Sequence, residues 1–404
     1  MVAQITALVP TFNRGALLAE AIEAILLQKR AVSQIIVWDD GSTDNTSDII
    51  APYLRNEGAR IDYRRAENAG KSAALNQAME LAQGDYIWIC DDDDIALPDA
   101  TQKLAAILDK KPEVGLAAGA HNRFSTAPES GAKELSDAGY WPNLTSGSPL
   151  RHVLEDIFFF QNATLVRRAC YDKVGPFSVD LARSIDYDMT VRLMARYPAE
   201  VIEDTVFLQR KHDGERGPAW QRHAAKSSDD VWRNADKVVF ERLRDRIPLS
   251  LYEAMFDCDT PELCTRAALL QRGAVYARRR DWGQALEDFE AAVLIRPELA
   301  LSPEECRIAI RAVAGKHGAQ ELFETPTRKR ILDISKRAAA GKSLARALSR
   351  GAVWRLREAI KGKNPTEVLA ITALLAALPP WSIPTATGRT LTERDRLPLE
   401  AYAW

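Results

Sequence analysis

The first half of this sequence predicts an α/β fold, and the second half predicts an all-α region. In the first two hundred residues, apolar strand-like runs alternate with amphipathic segments, which is the pattern of a parallel sheet flanked by helices. From about residue 215 the pattern becomes helical, with many Arg and Ala. A chain of 404 residues is long enough for more than one hydrophobic core. We therefore expect an α/β domain over residues 1–214 and an α-helical domain over residues 215–404.

Four strands and three helices can be placed in the α/β half from short apolar segments and from apolar residues at helical spacing. The predicted strands are Ile5 to Val9, Ile35 to Trp38, Ile61 to Arg64 and Tyr86 to Cys90. The predicted helices are Leu17 to Leu26, Thr46 to Leu54 and Ser72 to Ala82. Ligands of such sheets bind at the carboxyl ends of the strands. The residues that follow each strand are therefore the first candidates for a site.

The composition, with 46% hydrophobic and 27% charged residues, is that of a soluble globular protein. Five cysteines without CxxC spacing argue against a disulfide framework and against a zinc site, so a reducing cytoplasm fits best. The longest apolar run, Val368 to Leu378, is too short to span a bilayer, and no signal-like segment precedes the first strand. We expect a cytoplasmic protein that could meet a membrane only from its inner surface.

Polar residues follow three of the four predicted strands. Pro10 to Arg14 follow the first strand, Asp39 to Asp44 follow the second, and Asp91 to Asp94 follow the fourth. Four consecutive carboxylates repel one another, which is tolerable mainly where a cation neutralises them. The aspartates therefore predict a metal site. A solvated loop that caps the next helix is an equally good interpretation of these four residues taken alone.

These three turns, in this order and after these strands, resemble the family 2 glycosyltransferases of GT-A fold. The resemblance rests on PTFNR at 10–14, DDGSTD at 39–44 and the DxD-type aspartates at 91–94, and it covers about residues 2–214. It implies a mixed, mostly parallel sheet flanked by helices. It also implies a hexosyltransferase that uses a nucleotide-sugar donor.

The resemblance implies a set of donor-binding residues. Asp40 matches a carboxylate that accepts a hydrogen bond from uracil, although an Asp-Gly turn is a common alternative for this loop. Gly70 permits close backbone approach and Lys71 at a helix start can reach phosphate, although a structural turn is the safer interpretation of Gly70. Leu75 stands where many members carry Arg, so that contact is absent. The predicted donor-binding residues are Pro10, Thr11, Asn13, Arg14, Asp39, Asp40, Gly70, Lys71, Asp91, Asp92 and Arg210.

The resemblance also implies a divalent cation, Mg²⁺ or Mn²⁺, with Asp93 and His212 as its ligands. Alternation along an extended segment lets Asp91 and Asp93 converge, so we expect Asp92 and Asp94 to serve the turn instead. Hard oxygen ligands suit either cation, and in the family it bridges the donor diphosphate. His212 lies in a basic stretch, and a solvated turn is the plain alternative for it.

The general base of the family falls on Asp186. Here Ile185 stands where the family often has Glu, so one acidic neighbour is missing. An apolar neighbour raises the pKa of a carboxylate, which suits a base, and Asp186 also fits the start of a helix. The resemblance implies that a single displacement, with the base opposite the diphosphate, inverts the anomeric centre.

The leading interpretation is a metal-dependent inverting glycosyltransferase that moves a sugar from a nucleotide-diphosphate donor, expected to be UDP-linked, to a saccharide or lipid-linked acceptor in cell-surface polysaccharide synthesis. A nucleotide-sugar pyrophosphorylase is one alternative, but its glycine-rich basic signature near the first strand is missing. A non-catalytic scaffold that binds a nucleotide sugar is another, and the joint presence of Asp93, Asp186 and His212 argues against it. No nucleic-acid partner is expected.

Three further segments carry predictions. Residues 122–151 are rich in Gly, Ser and Pro, which predicts a long loop, either a binding loop on the acceptor side or a disordered insertion. Residues 267–300 have the spacing of one tetratricopeptide repeat or of a plain helical hairpin. In residues 328–363, twelve Lys or Arg accompany two acidic residues in a chain of net charge −2. That segment predicts a helix on an anionic membrane surface, or one whose apolar face packs on other helices. Leu344, Leu348, Trp354 and Leu356 share this segment with Arg346, Arg350, Arg355, Arg357 and Lys361.

Overall fold

The computed structural model describes residues 2–127, 132–211, 228–383, 385 and 391–404. The described residues form two compact units. Met1–Asn143 and Ile157–Ala235 make the first unit, and Leu144–Asp156 and Asp236–Trp404 make the second. The predicted boundary at residue 214 lies outside the described residues. A short segment of the sequence-defined α/β half, Leu144–Asp156, is part of the second unit.

The first unit is built on a nine-stranded sheet with the strand order β3-β2-β1-β4-β8-β6-β9-β5, and β7 pairs with β6 at the side of this path. The strands are β1 Ile5–Thr11, β2 Gln34–Asp39, β3 Ile61–Arg65, β4 Tyr86–Ile89, β5 Ile95–Ala96, β6 Leu116–Thr126, β7 Lys133–Ala138, β8 Thr164–Arg167 and β9 Ala199–Arg210. β3, β2, β1 and β4 run parallel, whereas β8 is antiparallel to both of its neighbours. The predicted mixed sheet flanked by helices is confirmed.

Helices follow the strands of this sheet as the spacing of apolar residues predicts. They are α1 Gly15–Leu26, α2 Thr46–Glu57, α3 Lys71–Glu80, α4 Ala100–Lys110, α6 Arg168–Val174 and α7 Ile185–Arg196. All seven residues of β1 and all four of β4 are buried. Parallel strands covered on both faces need continuous apolar runs, which is why these strands are so clear in the sequence. Their carboxyl ends place the three polar turns at one edge of the sheet.

The prediction of a long loop over residues 122–151 is wrong. β6 continues to Thr126, β7 returns antiparallel to it, and helix α5 spans Pro149–Glu155. Every residue of β7 is exposed, so no buried face marks this strand in the sequence. The Ser148 hydroxyl caps α5 by accepting a hydrogen bond from the Arg151 amide, and Pro149 occupies the first turn, where its missing N–H is harmless. The Ser and Pro taken as loop residues are thus a helix start.

The second unit is mainly helical. Besides α5 and the last part of α8 (Ser228–Arg244), its helices are α9 Leu249–Glu253, α10 Pro261–Arg278, α11 Trp282–Leu294, α12 Pro303–Ala312, α13 Thr325–Ser335, α14 Ala339–Lys361 and α15 Pro365–Ala377. A two-stranded sheet joins β10 Phe256–Cys258 to β11 Leu391–Glu393. α10 and α11 form a hairpin in which a Cβ at Gly273 would approach the Phe289 ring to 2.5 Å. Both interpretations of residues 267–300 predict this hairpin.

The cysteine spacing argued against disulfide bonds, and this expectation is wrong for one pair of cysteines. Cys258 and Cys264 form a disulfide, with their Cα atoms 5.6 Å apart. Cys258 ends β10 and Cys264 lies in the first turn of α10, so the turn between them brings two cysteines that lack CxxC spacing within disulfide distance. The other three, Cys90, Cys170 and Cys306, are free and buried.

The structure of the basic segment, residues 328–363, differs from its interpretation as a helix whose leucines face a membrane. Leu344 and Leu348 of α14 are buried inside the second unit, so they face other helices rather than a membrane. Trp354 on the same helix is half exposed. Among the described helices, none is both long and apolar enough to cross a membrane.

Candidate functional site

The turn after β1 and the aspartates after β4 meet at the carboxyl edge of the sheet. The Thr11 hydroxyl donates a hydrogen bond of 2.7 Å to Asp92, and one guanidinium nitrogen of Arg14 lies 3.0 Å from Asp92 and 2.8 Å from Asp93. β1 and β4 are paired in parallel, so residues that follow them are neighbours although they are far apart in sequence. Two of the predicted motifs are therefore joined by charge-assisted hydrogen bonds.

Asp92 is the buried anchor of this junction. Its side chain is nearly inaccessible, and burial raises the pKa of its carboxyl to about 6, although the Arg14 charge opposes the shift. Its oxygens accept hydrogen bonds from Thr11 and Arg14. These contacts match the expectation that Asp92 serves the turn, and its assignment to donor binding stays a prediction.

Three of the four aspartates form the candidate metal centre. Asp91, Asp93 and Asp94 each place one carboxylate oxygen within 4.8 Å of the others. Asp94, which the sequence assigned to the turn, is therefore part of this acidic triad. Burial raises the pKa of Asp94, and the neighbouring carboxylates raise it further. Three clustered carboxylates offer the oxygen donors that a hard divalent cation such as Mg²⁺ or Mn²⁺ prefers, so the residues present fit such an ion.

Asn162 orients two members of the triad. Its amide nitrogen donates a hydrogen bond of 2.6 Å to Asp94, and its side-chain oxygen accepts one of 2.9 Å from the backbone N–H of Asp91. Asn162 lies in a single 3₁₀ turn just before β8, and its own carbonyl accepts a hydrogen bond from Trp88 of β4. Asn162 could not be identified from the sequence, since nothing in FFFQNAT marks one amide side chain as different from any other polar residue.

Arg210 holds the triad from the other side. Its backbone N–H donates to Asp94 at 2.8 Å, and its guanidinium donates to the Asp93 carbonyl at 2.9 Å. The same guanidinium donates to Thr126 and forms a 3.2 Å ion pair with Glu20. Arg210 is buried, and these contacts show a positioning role at the end of β9. Binding of donor phosphate by Arg210 stays a prediction.

The second turn is held together by its own aspartates. Asp39 is fully buried and accepts hydrogen bonds from the Ser42 amide at 2.7 Å and the Tyr63 hydroxyl at 2.5 Å. The two carboxylate oxygens of Asp40 accept the backbone N–H groups of Ala69 and Gly70, both at 2.8 Å. Asp40 thereby ties the turn after β2 to the start of α3. The predicted contact of Asp40 with a uracil ring is not tested by these bonds.

Asn13 and Pro10 support the first turn. The Asn13 side-chain oxygen accepts the amides of Thr43 and Asp44 at 2.7 and 3.3 Å, and Asn13 itself has φ of 54°, a left-handed conformation that Asn tolerates well. Pro10 is buried in β1 opposite Trp38 of β2. Both residues shape the edge at which the triad lies, and their direct contact with a donor stays a prediction.

Lys71 brings a cation to the triad. It is the first residue of α3, after Gly70 at φ 88°, and its ammonium forms an ion pair with Asp91. Burial lowers the pKa of Lys71, but the carboxylates of Asp91, Asp186 and Asp93 raise it to a larger extent, so the net direction is upward. Lys71 therefore lies within electrostatic range of both the triad and the predicted base.

Asp186 is half-buried in the first turn of α7, two residues after Ser184, which has a left-handed conformation with φ of 54°. Two residues on, Asp188 is buried and pairs with Arg192 at 2.9 Å, so the second acidic residue of this segment is structural. The assignment of Asp186 as the general base stays a prediction. His212, the second predicted metal ligand, lies outside the described residues.

Comparison with known proteins gives a consistent picture for the first unit. Residues 6–174 match the family model Glycosyl transferase family 2. An uncharacterized glycosyltransferase of Mycoplasma pneumoniae is 35% identical over 105 residues, which are 25% of this chain and 35% of that protein. The glycosyltransferase GlyG of Streptococcus pneumoniae serotype 4 is 40% identical over 92 residues, 22% of this chain and 30% of that protein. The chain spans about a third of the length of these curated relatives.

Among solved structures, residues 1–349 of TarS from S. aureus align with 85% of this chain and 90% of that chain, at 15% identity and a TM-score of 0.48. The family match begins in β1 and ends with α6, so it contains the triad, Lys71 and Asn162 and leaves Asp186 and Arg210 beyond its limit. Residues 6–174 are thus similar to glycosyl transferase family 2.

Proposed function

We propose that this protein is an inverting glycosyltransferase that moves a sugar from a nucleoside diphosphate to a hydroxyl group of an acceptor. The observation that carries the proposal is the acidic triad of Asp91, Asp93 and Asp94, assembled with Lys71 at the carboxyl edge of the sheet in a family 2 domain. A diphosphate leaving group carries negative charge that increases as the glycosidic bond breaks. A site with a cation-binding cluster and a lysine supplies positive charge at that place.

The donor is a nucleotide sugar, and we propose a UDP-sugar. Asp40 and the loop around Gly70 lie at the end of β2, where the base would bind, and the backbone of this loop is fixed by the two hydrogen bonds that Asp40 accepts. Lys71 at the start of α3 would reach the phosphates, since ammonium and helix N-terminus both favour anions. Arg14 pairs with Asp92 and Asp93, and we propose that its charge also attracts the phosphates.

We propose that the transferase activity depends on a divalent cation. Asp91, Asp93 and Asp94 would hold Mg²⁺ or Mn²⁺, and when bound the ion would offset the charge of the departing diphosphate. Asn162 and Arg210 keep these carboxylates in place through the hydrogen bonds described above. His212 is proposed as a further ligand from the family resemblance.

Asp186 is the proposed general base, which takes the proton of the acceptor hydroxyl as that oxygen attacks the anomeric carbon. Its support is its half-buried place in the first turn of α7 and the family resemblance of that segment. Attack from the side opposite the diphosphate breaks the bond to the leaving group in the same step and inverts the configuration. We propose a saccharide or lipid-linked acceptor, a role in cell-surface polysaccharide synthesis and action in the cytoplasm.

Release of UDP from a panel of UDP-sugars with Mn²⁺ and candidate acceptors tests the proposal. Asp186→Asn should lower kcat by at least about a hundredfold while donor affinity is kept, because only proton removal is lost. Asp172→Asn on the exposed side of α6 is the matched control and should leave kcat unchanged. Unchanged turnover in Asp186→Asn would remove this residue as the base. Formation of pyrophosphate from UTP and a sugar phosphate would instead support a pyrophosphorylase.

A further inference from the structure

One face of α14 carries a line of cations with a tryptophan among them. The members recur every three or four residues, which places them on the same face of a helix. They are Lys342, Arg346, Arg350, Trp354, Arg357 and Lys361. We refer to these six residues as the basic stripe. Trp354 is 50% exposed, a large fraction for an indole ring in a folded domain.

The stripe faces outward because the other side of α14 is in the core of the second unit. Leu344, Ala345, Leu348 and Ser349 are buried there. Arg350, the next residue after Ser349, is exposed on the opposite side. Within the described part of α14 the single acidic residue is Glu358, which lies 3.0 Å from Lys361 with both side chains exposed. The face therefore has a strong excess of positive charge, and an ion pair this exposed neutralises little of it.

A second tryptophan lies beside the stripe. Arg346 donates to the carbonyl and, at 3.0 Å, to the hydroxyl of Ser382, and Arg350 donates to the Pro380 carbonyl at 3.5 Å. These bonds bring the loop after α15 to the stripe. Trp381, between the two bonded residues, is 76% exposed. Two largely exposed indoles are thus held next to arginine side chains.

Helix α15 adds apolar surface that the second unit leaves uncovered. Between Val368 and Leu378 the sequence has no charged residue, yet only Ile371, Leu374 and Leu378 are buried in that span. Leu369 is 72% exposed, and Ala373, Ala376 and Ala377 are exposed as well. Contiguous apolar surface on a folded domain marks an interaction site more often than chance. α15 packs against α14, the helix that carries the stripe.

We propose that this surface of the second unit binds the face of a bilayer that contains anionic phospholipid. The stripe would pair with phosphate headgroups, while Trp354 and Trp381 would enter the interfacial layer, where indole rings are favoured. A soluble polyanion would complement the cations but not the two indoles or the uncharged side of α15, so charge and apolar exposure together favour lipid. Leu344 and Leu348 are buried, so Trp354 and Trp381 are the side chains that would enter the interfacial layer.

Co-sedimentation of the full chain with vesicles tests this surface. Binding should be clear with phosphatidylcholine vesicles that contain phosphatidylglycerol, weak with phosphatidylcholine alone, and reduced by high salt. Trp354→Ala combined with Trp381→Ala, and Arg350→Glu combined with Arg357→Glu, should each weaken partitioning by about tenfold or more. Leu294→Ala and Arg307→Glu, at exposed positions on α11 and α12, are the matched controls and should bind as the unchanged chain does.

Three results would overturn the proposal. They are equal binding to vesicles with and without phosphatidylglycerol, loss of binding in the controls as large as in the stripe variants, and binding to dextran sulfate without binding to the anionic vesicles. Circular dichroism of each variant shows whether it is folded before it is compared. Since no step of the measurement uses a donor sugar, failure of the lipid proposal and failure of the proposed glycosyl transfer are read independently.

Discussion

Asn162 and Asp94 are joined by a hydrogen bond of 2.6 Å between the amide nitrogen and a carboxylate oxygen, and the second oxygen of Asp94 accepts the backbone N–H of Arg210. One carboxylate thus connects the turn before β8 to the end of β9. Because Asn162 also accepts from the Asp91 amide, a single side chain sets the spacing within the triad. Hydrogen-bond partners of metal-binding carboxylates commonly affect metal affinity almost as much as the ligands themselves.

Asn162→Ala should therefore weaken Mn²⁺ binding by about tenfold to a hundredfold, since Asp94 loses a donor and Asp91 loses its backbone support. Titration of the metal-free chain with Mn²⁺, followed by electron paramagnetic resonance, measures the change directly. Asn56→Ala at an exposed position of α2 is the matched control. If both variants bind Mn²⁺ as the unchanged chain does, Asn162 does not position the triad.

Lys71→Met should reduce the affinity for UDP by about tenfold, because the ammonium that pairs with Asp91 in the free protein is proposed to bind the diphosphate. Isothermal titration with UDP in the presence of Mn²⁺ gives the affinity. Lys110→Met, at an exposed position near the end of α4, controls for loss of one positive charge from the first unit. Equal losses in the two variants would mean that only net charge matters.

Arg14→Gln should destabilise the first unit by about 2 kcal/mol, since the nearly inaccessible carboxylate of Asp92 would lose its cationic partner. Adding Asp92→Asn should recover part of this loss, because a neutral amide needs no counter-charge. Urea unfolding of the single and double variants gives the coupling free energy. Arg64→Gln removes the exposed pair with Asp62 and should change stability by less than about 0.5 kcal/mol. Additive effects of Arg14→Gln and Asp92→Asn would contradict the coupling.

His121 should make the folded state less stable in mild acid. Its ring is buried between Phe160 and Phe207, and burial lowers its pKa to about 4, with Arg123 adding to the shift and Asp137 opposing it. The unfolded chain, with an ordinary pKa near 6.5, then binds the proton more readily than the folded chain. The contribution of His121 to the free energy of unfolding is fully present above about pH 6.5 and decreases as the pH falls towards 4.

The decrease between pH 7 and pH 5 should be about 1 to 2 kcal/mol from His121, measured as the free energy of urea unfolding at each pH. His121→Asn has no titrating ring, so it should be less stable at pH 7 but should show a flatter slope over this range. An identical slope in the variant would show that other groups cause the acid sensitivity. His152 is a second buried histidine with a pKa lowered to about 4, mainly by burial, and it should contribute a slope of the same sign.

The strands and their polar ends could be predicted from the sequence because burial on both faces leaves continuous apolar runs such as Ile5 to Val9. The hairpin of β6 and β7 could not, since β7 is exposed throughout and its residues pack on nothing that requires an apolar pattern. In the same way, cysteine spacing could not reveal that a turn brings Cys258 to Cys264. Local patterns of apolar residues indicate which side chains are buried. The β6–β7 hairpin and the Cys258–Cys264 disulfide depend instead on backbone pairing and on the direction of the chain.

For the candidate site, the sequence by itself determined which residue types lie at the carboxyl edge: the first turn, the Asp39–Asp40 pair and the four aspartates. Tertiary structure alone decided their arrangement. It placed Asp94 with Asp91 and Asp93, turned Asp92 towards Thr11 and Arg14, and supplied Asn162 from a turn more than sixty residues away. Side-chain direction and long-range hydrogen bonds depend on the whole sheet, because β4, β8 and β9 must come together before these groups can meet.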